Sequence, residues 1–281
     1  LALQQPAAAP QAAPTQAQPA SEVATATEAG TQTEELTTAE EESAAEAPTV
    51  TLPQKSKLPD AEQDALIGHM IANLKATEGG ELSTSPVVTD QAAQLTAARV
   101  NKIKDKDGNY LLHAAVLNGT PQIVAIIAAI PGIDPDVKNN KDETPLHIAA
   151  QVQGNAPEII KILTTLPTIK PTTDDLPLVD LGDQNDNTSL VVACIVVNRD
   201  AVKALIDAGA NPDYDDDKGN LPLDHAIRQK NTELITLLLS KTKAISHCNE
   251  NGSNILHVAA VTDNLEVVNA ILTYLKSSSA L

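Results

Sequence analysis

From Asp60 to Lys75 the large apolar residues Leu66, Ile67, Met70, Ile71 and Leu74 fall three and four apart, on one stripe of a predicted helix. Asp60, with Gln63 three places on, reads as a capping box at its start. A second helix is predicted over "SPVVTDQAAQLTAARV", where Ser85 caps and Pro86 takes the first helical position, at which a missing N–H costs little. The two predict a helical hairpin over 60–103 that closes one end of the fold. Beyond it the pattern recurs: "DGNYLLHAAV", "KDETPLHIAA", "NDNTSLVVAC", "KGNLPLDHAI" and "NGSNILHVAA" each open a short, small-residue segment. A polar or Gly-containing break comes after each, then a run with doubled apolar positions: "PQIVAIIAA", "PEIIKILTT", "DAVKALIDAGA", "TELITLLLS" and "LEVVNAILTYL".

Alignment on the motif leucine places Leu112, Leu146, Leu190, Leu223 and Leu256 in register, at separations of 34, 44, 33 and 33 residues. A fixed period of this size marks a solenoid of stacked units, none of which buries its apolar face alone. In the second unit, Thr144 caps a helix, worth about 1 kcal/mol, Pro145 presets its first turn, and Ala149 and Ala150 keep it slim enough for close neighbours. The doubled apolar positions of the second helix bury against the units on either side. The long interval carries an insertion at about 168–183, "TIKPTTDDLPLVDLGD", read as a surface excursion because Pro171 and Pro177 oppose a helix. Residues 1–59 show neither period. Rich in Ala, Pro, Gln, Thr and Glu, they bury too little to offset about 1–2 kcal/mol per residue of backbone entropy, and are expected to form a disordered leader. The array is placed at 104–276 and a short tail at 277–281.

Composition narrows the reading further. With no Phe, no Trp and three Tyr among 281 residues, the core is a thin one of Leu, Ile, Val and Ala. The net charge of −18 opposes phosphate backbones and anionic lipid, so neither nucleic-acid binding nor membrane insertion is expected. The longest uncharged apolar run, Ile123 to Ile130, falls far short of the roughly 20 residues that cross a bilayer. Two cysteines make no disulfide framework: Cys194, in a small-residue slot, is expected to be buried and inert, and Cys248, in a loop, exposed. The opening "LAL" fits equally the tail of a removed apolar segment and an arbitrary start.

The residues "TPLHIAA" and "ALIDAGANPD", with five registered copies of the period, give the stretch from about Lys104 to Leu275 its character: it resembles the ankyrin-repeat family. The resemblance implies an all-α solenoid of five units, each a β-hairpin loop followed by two antiparallel helices, stacked into a curved array. It implies too that His113, His147 and His257 hydrogen-bond backbone across the loop–helix corner. Tyr110 and Leu111 replace Thr-Pro in the first unit, Val191 replaces His in the third and Asp224 in the fourth, so looser stacking is expected there. As in the family, the residue before the helix start and the two after the small pair are expected to face the concave groove and bind a partner. Unit by unit these are Asn109, Leu117 and Asn118; Glu143, Gln151 and Val152; Asn187, Ile195 and Val196; Asn220, Arg228 and Gln229; and Ser253, Val261 and Thr262. Leu117, Val152, Ile195, Val196 and Val261 either form an exposed apolar strip or pack against neighbouring helices.

Candidate chemistry does not converge. Three histidines in different units lie too far apart to share a metal or substrate, and His247 beside Cys248 is half a zinc site at most. Asp213, Asp215, Asp217 and Asp224 occupy EF-hand-like places, but Lys218 stands where the turn glycine belongs, so the stretch reads as a hairpin tip. No phosphate loop, nucleophile elbow or carboxylate pair appears, and no cofactor or metal is expected. The expectation is a non-catalytic, monomeric scaffold for a protein partner; the alternative is the targeting or regulatory arm of an enzyme or toxin whose catalytic part lies outside these residues. The Ala/Pro/Gln-rich acidic leader suits an exported or host-delivered bacterial protein, and an intracellular adaptor with a disordered tail stands beside that reading.

Overall fold

The computed structural model describes residues 50–76, 86–167 and 176–278. Among them are thirteen α-helices and no extended strand. Three come first: α1 (Asp60–Ala76), α2 (Pro86–Ala92) and α3 (Ala97–Val100). Five pairs come next: α4 (Leu111–Asn118) with α5 (Pro121–Ala128), α6 (Pro145–Gln151) with α7 (Ala156–Thr164), and α8 (Ser189–Ile195) with α9 (Arg199–Asp207). The last are α10 (Pro222–Arg228) with α11 (Thr232–Leu239), and α12 (Ile255–Val261) with α13 (Leu265–Ser278). First helices stack in sequence, α4 on α6, then α8, α10 and α12, while α1 packs on α4 and α2 on α5. Leu112, Leu146, Leu190 and Leu223 are 0–1 % exposed, so the period found by register is the period of the core.

The cap departs from its sequence reading in instructive ways. Gln63 does not fold back as a capping box. Buried, its amide donates to the Leu58 carbonyl at 2.6 Å, and its Oε1 accepts from both the Thr96 N–H and hydroxyl. Lys57 Nζ donates to the carbonyls of Ala93 and Leu95. With these backbone groups bonded to side chains, the one helix expected after Ser85 is two, α2 and α3, broken at 93–96. Ser85 itself lies outside the described residues, as does the leader over 1–49. The leader's expected last part, 50–59, forms no regular element and is held to the cap by Lys57 and by the packing of Val50 and Leu52.

The insertion is a surface excursion only in name. Residues 168–175 lie outside those described, but Leu178, Val179 and Leu181 are buried and a 3-10 turn at Leu178–Asp180 packs on α8. Asp180 Oδ1 accepts the Asn211 N–H of the next unit at 2.8 Å. Proline punctuation hid an apolar anchor.

Each hairpin loop is built round one side chain seven residues before the registered leucine. Asp105, Asn139, Asp183, Asp216 and Asn249 each accept, on one Oδ1, the N–H groups two and four residues ahead, at 2.8–3.1 Å. Such side-chain acceptors close the turn that backbone alone would leave open. The turn needs a left-handed residue, and in register those are Gly108, Asp142, Asp186, Gly219 and Gly252. Successive tips are then tied together: the Asn140 N–H donates to Asp107 O, Gln184 to Lys141, Asp217 to Asn185 and Glu250 to Lys218, at 3.0–3.1 Å.

Gly108 has φ +81°, and a Cβ there would lie 2.4 Å from Asn140 Oδ1 and 2.5 Å from Asn140 N. Gly154, at φ +77°, has open space around it. Both lose about 1 kcal/mol or more on gaining a side chain in this conformation. Gly154→Ala is expected to lower the melting midpoint by about 2–4 °C. Gly108→Ala, which also breaks the first tip-to-tip bond, is expected to lower it at least twice as far in parallel thermal melts.

Candidate interaction surface

The corners between loop and helix are closed by the residue after the registered leucine. His113, His147 and His257 each accept, on Nδ1, the backbone N–H three residues before, at 3.1–3.3 Å. Their Nε2–H is thereby free to donate, and His113 and His147 reach the carbonyls of Glu143 and Asn187 in the following unit, both at 2.9 Å. Asp224, expected to weaken the fourth unit, does the same local work: its Oδ2 accepts the Leu221 N–H at 3.0 Å. In the third unit Val191 is buried and the Thr188 hydroxyl caps the helix through the Val191 N–H.

Burial holds the His113 pKa down at about 4, against an ordinary 6.5, with the Glu143 carbonyl opposing the shift, and holds His147 down likewise. Desolvation pushes Asp216 up, but the donations it receives from Asn220, Lys218 and His225 outweigh this and leave it below the usual carboxylate range. Burial lowers His225 in spite of that carboxylate, so we read the pair as a charged acid accepting from a neutral imidazole. The remaining chemical candidates are dispersed. Asp213 accepts the N–H groups of Lys243 and Ala244, His247 Nε2 donates to the Gly219 carbonyl, His69 bonds Asn73, Cys194 is buried with its thiol pushed up, and Cys248 is exposed.

Of the residues expected to face a partner, one column belongs to the hairpins. Asn109 and Asn220 are buried and Asn187 half-buried, each with its amide bonded to the turn acceptor four residues before it. Asn220 Oδ1 also accepts from Asn249 and Arg228. Glu143 Oε2 accepts from Asn139, and Ser253 gives its N–H to Asn249. Asn109 and Asn220 are thus corrected from contact residues to structural ones, and so are Asn118 and Thr262, which are buried; the Thr262 hydroxyl is bonded to the Ala259 carbonyl.

The other column reaches solvent at the ends of the first helices. Gln151, Arg228 and Gln229 are exposed, Leu117 and Val152 half-buried, Ile195 and Val196 38 % exposed, and Val261 87 %. Leu117, Gln151 and Val152 line a cleft of about 360 Å³ between the first and second units, and Arg228, Val258 and Val261 one of about 400 Å³ between the fourth and fifth. The apolar strip is therefore exposed in part, neither of the two simple alternatives. Between the clefts stands a residue that register alone does not single out. A left-handed residue stands within three residues of the end of each first helix, namely Gly119, Gly154, Val197, Lys230 and Asp263. Val197, β-branched, has φ 58° and is 37 % exposed. A branched side chain in that region is strained, by about 1–2 kcal/mol.

The family model for ankyrin repeats matches in three copies, over residues 88–175, 175–247 and 190–279. The chain belongs to the ankyrin-repeat family. Such repeats make a protein–protein interaction module, generally a non-catalytic one. Over 176 residues, 60 % of its length, this ankyrin-repeat chain is 29 % identical to the human transient receptor potential cation channel subfamily A member 1. It is 30 % identical over 151 residues, 53 % of its length, to human SH3 and multiple ankyrin repeat domains protein 2. Against human SMC5-SMC6 complex localization factor protein 1 it is 27 % identical over 157 residues, 56 % of its length. The chain spans 15 %, 8 % and 14 % of these relatives, respectively.

The corner histidines make stability depend on pH. An unfolded chain takes up the His113 proton near pH 6.5 and the folded chain near 4, so this contribution is whole above 6.5 and is lost as pH falls to 4. The full loss is about 3 kcal/mol for His113. In NMR titrations of the folded protein the His113 imidazole should stay neutral until about pH 4, with a falling melting midpoint across the same window. A midpoint near the ordinary 6.5 would contradict the assigned burial.

Proposed function

We propose that the protein is a non-catalytic scaffold that binds a protein partner through the ends of its first helices, with Ile195, Val196 and Val197 as the central contact. The observation that carries this is Val197. Folding alone favours glycine there, as at Gly119 and Gly154, yet the position holds a strained, half-exposed valine in a row with two other exposed aliphatic side chains. Strain kept at a surface position supports a role for that side chain outside the fold. Exposed apolar anchors ringed by polar groups such as Gln151, Arg228 and Gln229 are the composition of an interface hot spot. The partner so recognised presents an apolar ridge to units one to three and accepts hydrogen bonds from Arg228 in unit four. The leader's composition supports an exported or host-delivered setting for it.

Stability and binding should separate at this position. Val197→Gly relieves about 1–2 kcal/mol of strain and returns part of it as unfolded-state entropy, so the melting midpoint should rise by a degree or more. The same variant, and Ile195→Asp more severely, should lose about tenfold or more in affinity for partners cross-linked to the wild-type chain in its native cell. An undiminished set of cross-linked proteins with Ile195→Asp would move the interface elsewhere.

A further inference from the structure

Over the first four units, the row of first-helix ends changes its chemistry at one step. Residues 117–119, 151–154 and 195–197 are uncharged, and 228–230 read Arg-Gln-Lys. In a chain of net charge −18 this is a local reversal, and the hairpin tips show the opposite tendency, with Asp107, Asp142, Asp186, Asp217 and Glu250. Arg228 and Lys230 line the cleft of about 400 Å³ between the fourth and fifth units, together with Asn249, Asn251 and Ser253 of the fifth hairpin. Among the described residues no carboxylate lines it.

The two cations are not used up by the fold. One guanidinium nitrogen of Arg228 donates to Asn220 Oδ1 at 2.7 Å, and Asn220 is itself buried, bonded to Asp216 and Asn249. The fork is thus positioned by a neutral oxygen, so an incoming anion neither has to order it nor has to break an ion pair. Neither Arg228 nor Lys230 forms an ion pair among the described residues. Asp224, one turn back on α10, is buried with Oδ2 on the Leu221 N–H, and Arg228 acts on it only through space. The Asn251 amide and the Ser253 hydroxyl add two neutral donors that bond no other group among the described residues.

We propose that this cleft receives a carboxylate of the protein partner: an Asp or Glu side chain held by Arg228 and Lys230, while aliphatic side chains of the same segment cover Ile195, Val196 and Val197. The inference rests on the contact surface proposed above and adds the partner's charge and spacing to it. A single negative charge suits two cations on an acidic molecule, whereas a phosphate brings nearly two and meets the repulsion of the whole array. First helices stack about 8–10 Å apart, and from the end of α8 to a cleft between α10 and α12 is one and a half such intervals, about 12–15 Å. An extended segment covers that distance in about four or five residues, and a helix in about eight to ten. The partner segment therefore carries its acid at one of those two separations from its aliphatic anchor.

Random dodecapeptides displayed on phage and selected on the whole chain supply the probe. Enriched sequences should share an aliphatic residue and an Asp or Glu at one of the two separations. For a synthetic peptide of that kind, replacing its acid by the amide should weaken binding to the wild-type chain about tenfold, and to Arg228→Gln or Lys230→Gln by under about twofold. Lys230 is exposed and its side chain bonds nothing, so Lys230→Gln should keep the wild-type melting midpoint and the test does not hang on Arg228→Gln folding. No enrichment, enriched peptides without an acid, equal losses on the wild type and both variants, or tighter binding when phosphoserine replaces the acid would each overturn the proposal. Ile195→Asp tells its failure from that of the contact surface. Peptides that lose binding to Ile195→Asp but ignore both cation variants leave the surface standing and remove the carboxylate site; peptides that ignore all three count against both.

Discussion

One side-chain oxygen per unit, on Asp105, Asn139, Asp183, Asp216 and Asn249, holds the rest in place. By accepting two N–H groups it bends the loop so that its tip offers a carbonyl to the next tip and its far end delivers the helix start to the histidine, Asp224 or Thr188 that caps it. A polar group buried in this way costs free energy unless its hydrogen bonds are satisfied, so the turn is specified sharply: a replacement that cannot accept both bonds leaves buried donors unpaired. The apolar stacking of the helices supplies the gross driving force, but the oxygen sets the spacing at which they stack.

The helices and their register were legible because apolar burial repeats at the period of the chain, and the five leucines carry that signal without help. The loops were harder. Asn109, Asn187 and Asn220 look like surface residues since isolated polar side chains usually are; their true use appears only when "DKDGN", "DQNDN" and "DDKGN" are aligned as acceptor, left-handed residue and amide. Those patterns were present in the sequence and could have been found at the same period. Gln63 was misread because a local capping partner and a partner thirty-three residues away have the same residue type. Leu178, Val179 and Leu181 were obscured by neighbouring prolines and acids, which argue correctly against a helix and say nothing about burial. For the candidate surface, position named Ile195, Val196 and Val261, while Val197 needed a backbone angle that residue type does not disclose.

Interaction scaffolds of this kind separate the part that folds from the part that reads a partner. Here the separation runs through single units: the residue before each helix start is drawn into the hairpin, while Gln151, Ile195, Val196, Arg228, Gln229 and Val261, after the small pair, reach solvent. A row of side chains can therefore vary at the helix ends with little effect on the loops. Val197 is an exception, since its backbone strain and its exposure occupy one residue and any change to one alters the other.

The join between the third and fourth units has a mechanical meaning. There α8 packs on α10, whereas α9 leans back on α6 and α7 and has no comparable packing against α11. A stack tied along one layer of helices and loose along the other resists sliding but yields to bending about the tied side. Thermal motion of the array should then collect at this seam instead of spreading evenly along five units. Because Ile195, Val196 and Val197 sit at the tied layer beside it, a partner seated across the seam would act as a splint, setting the angle between the two halves of the array.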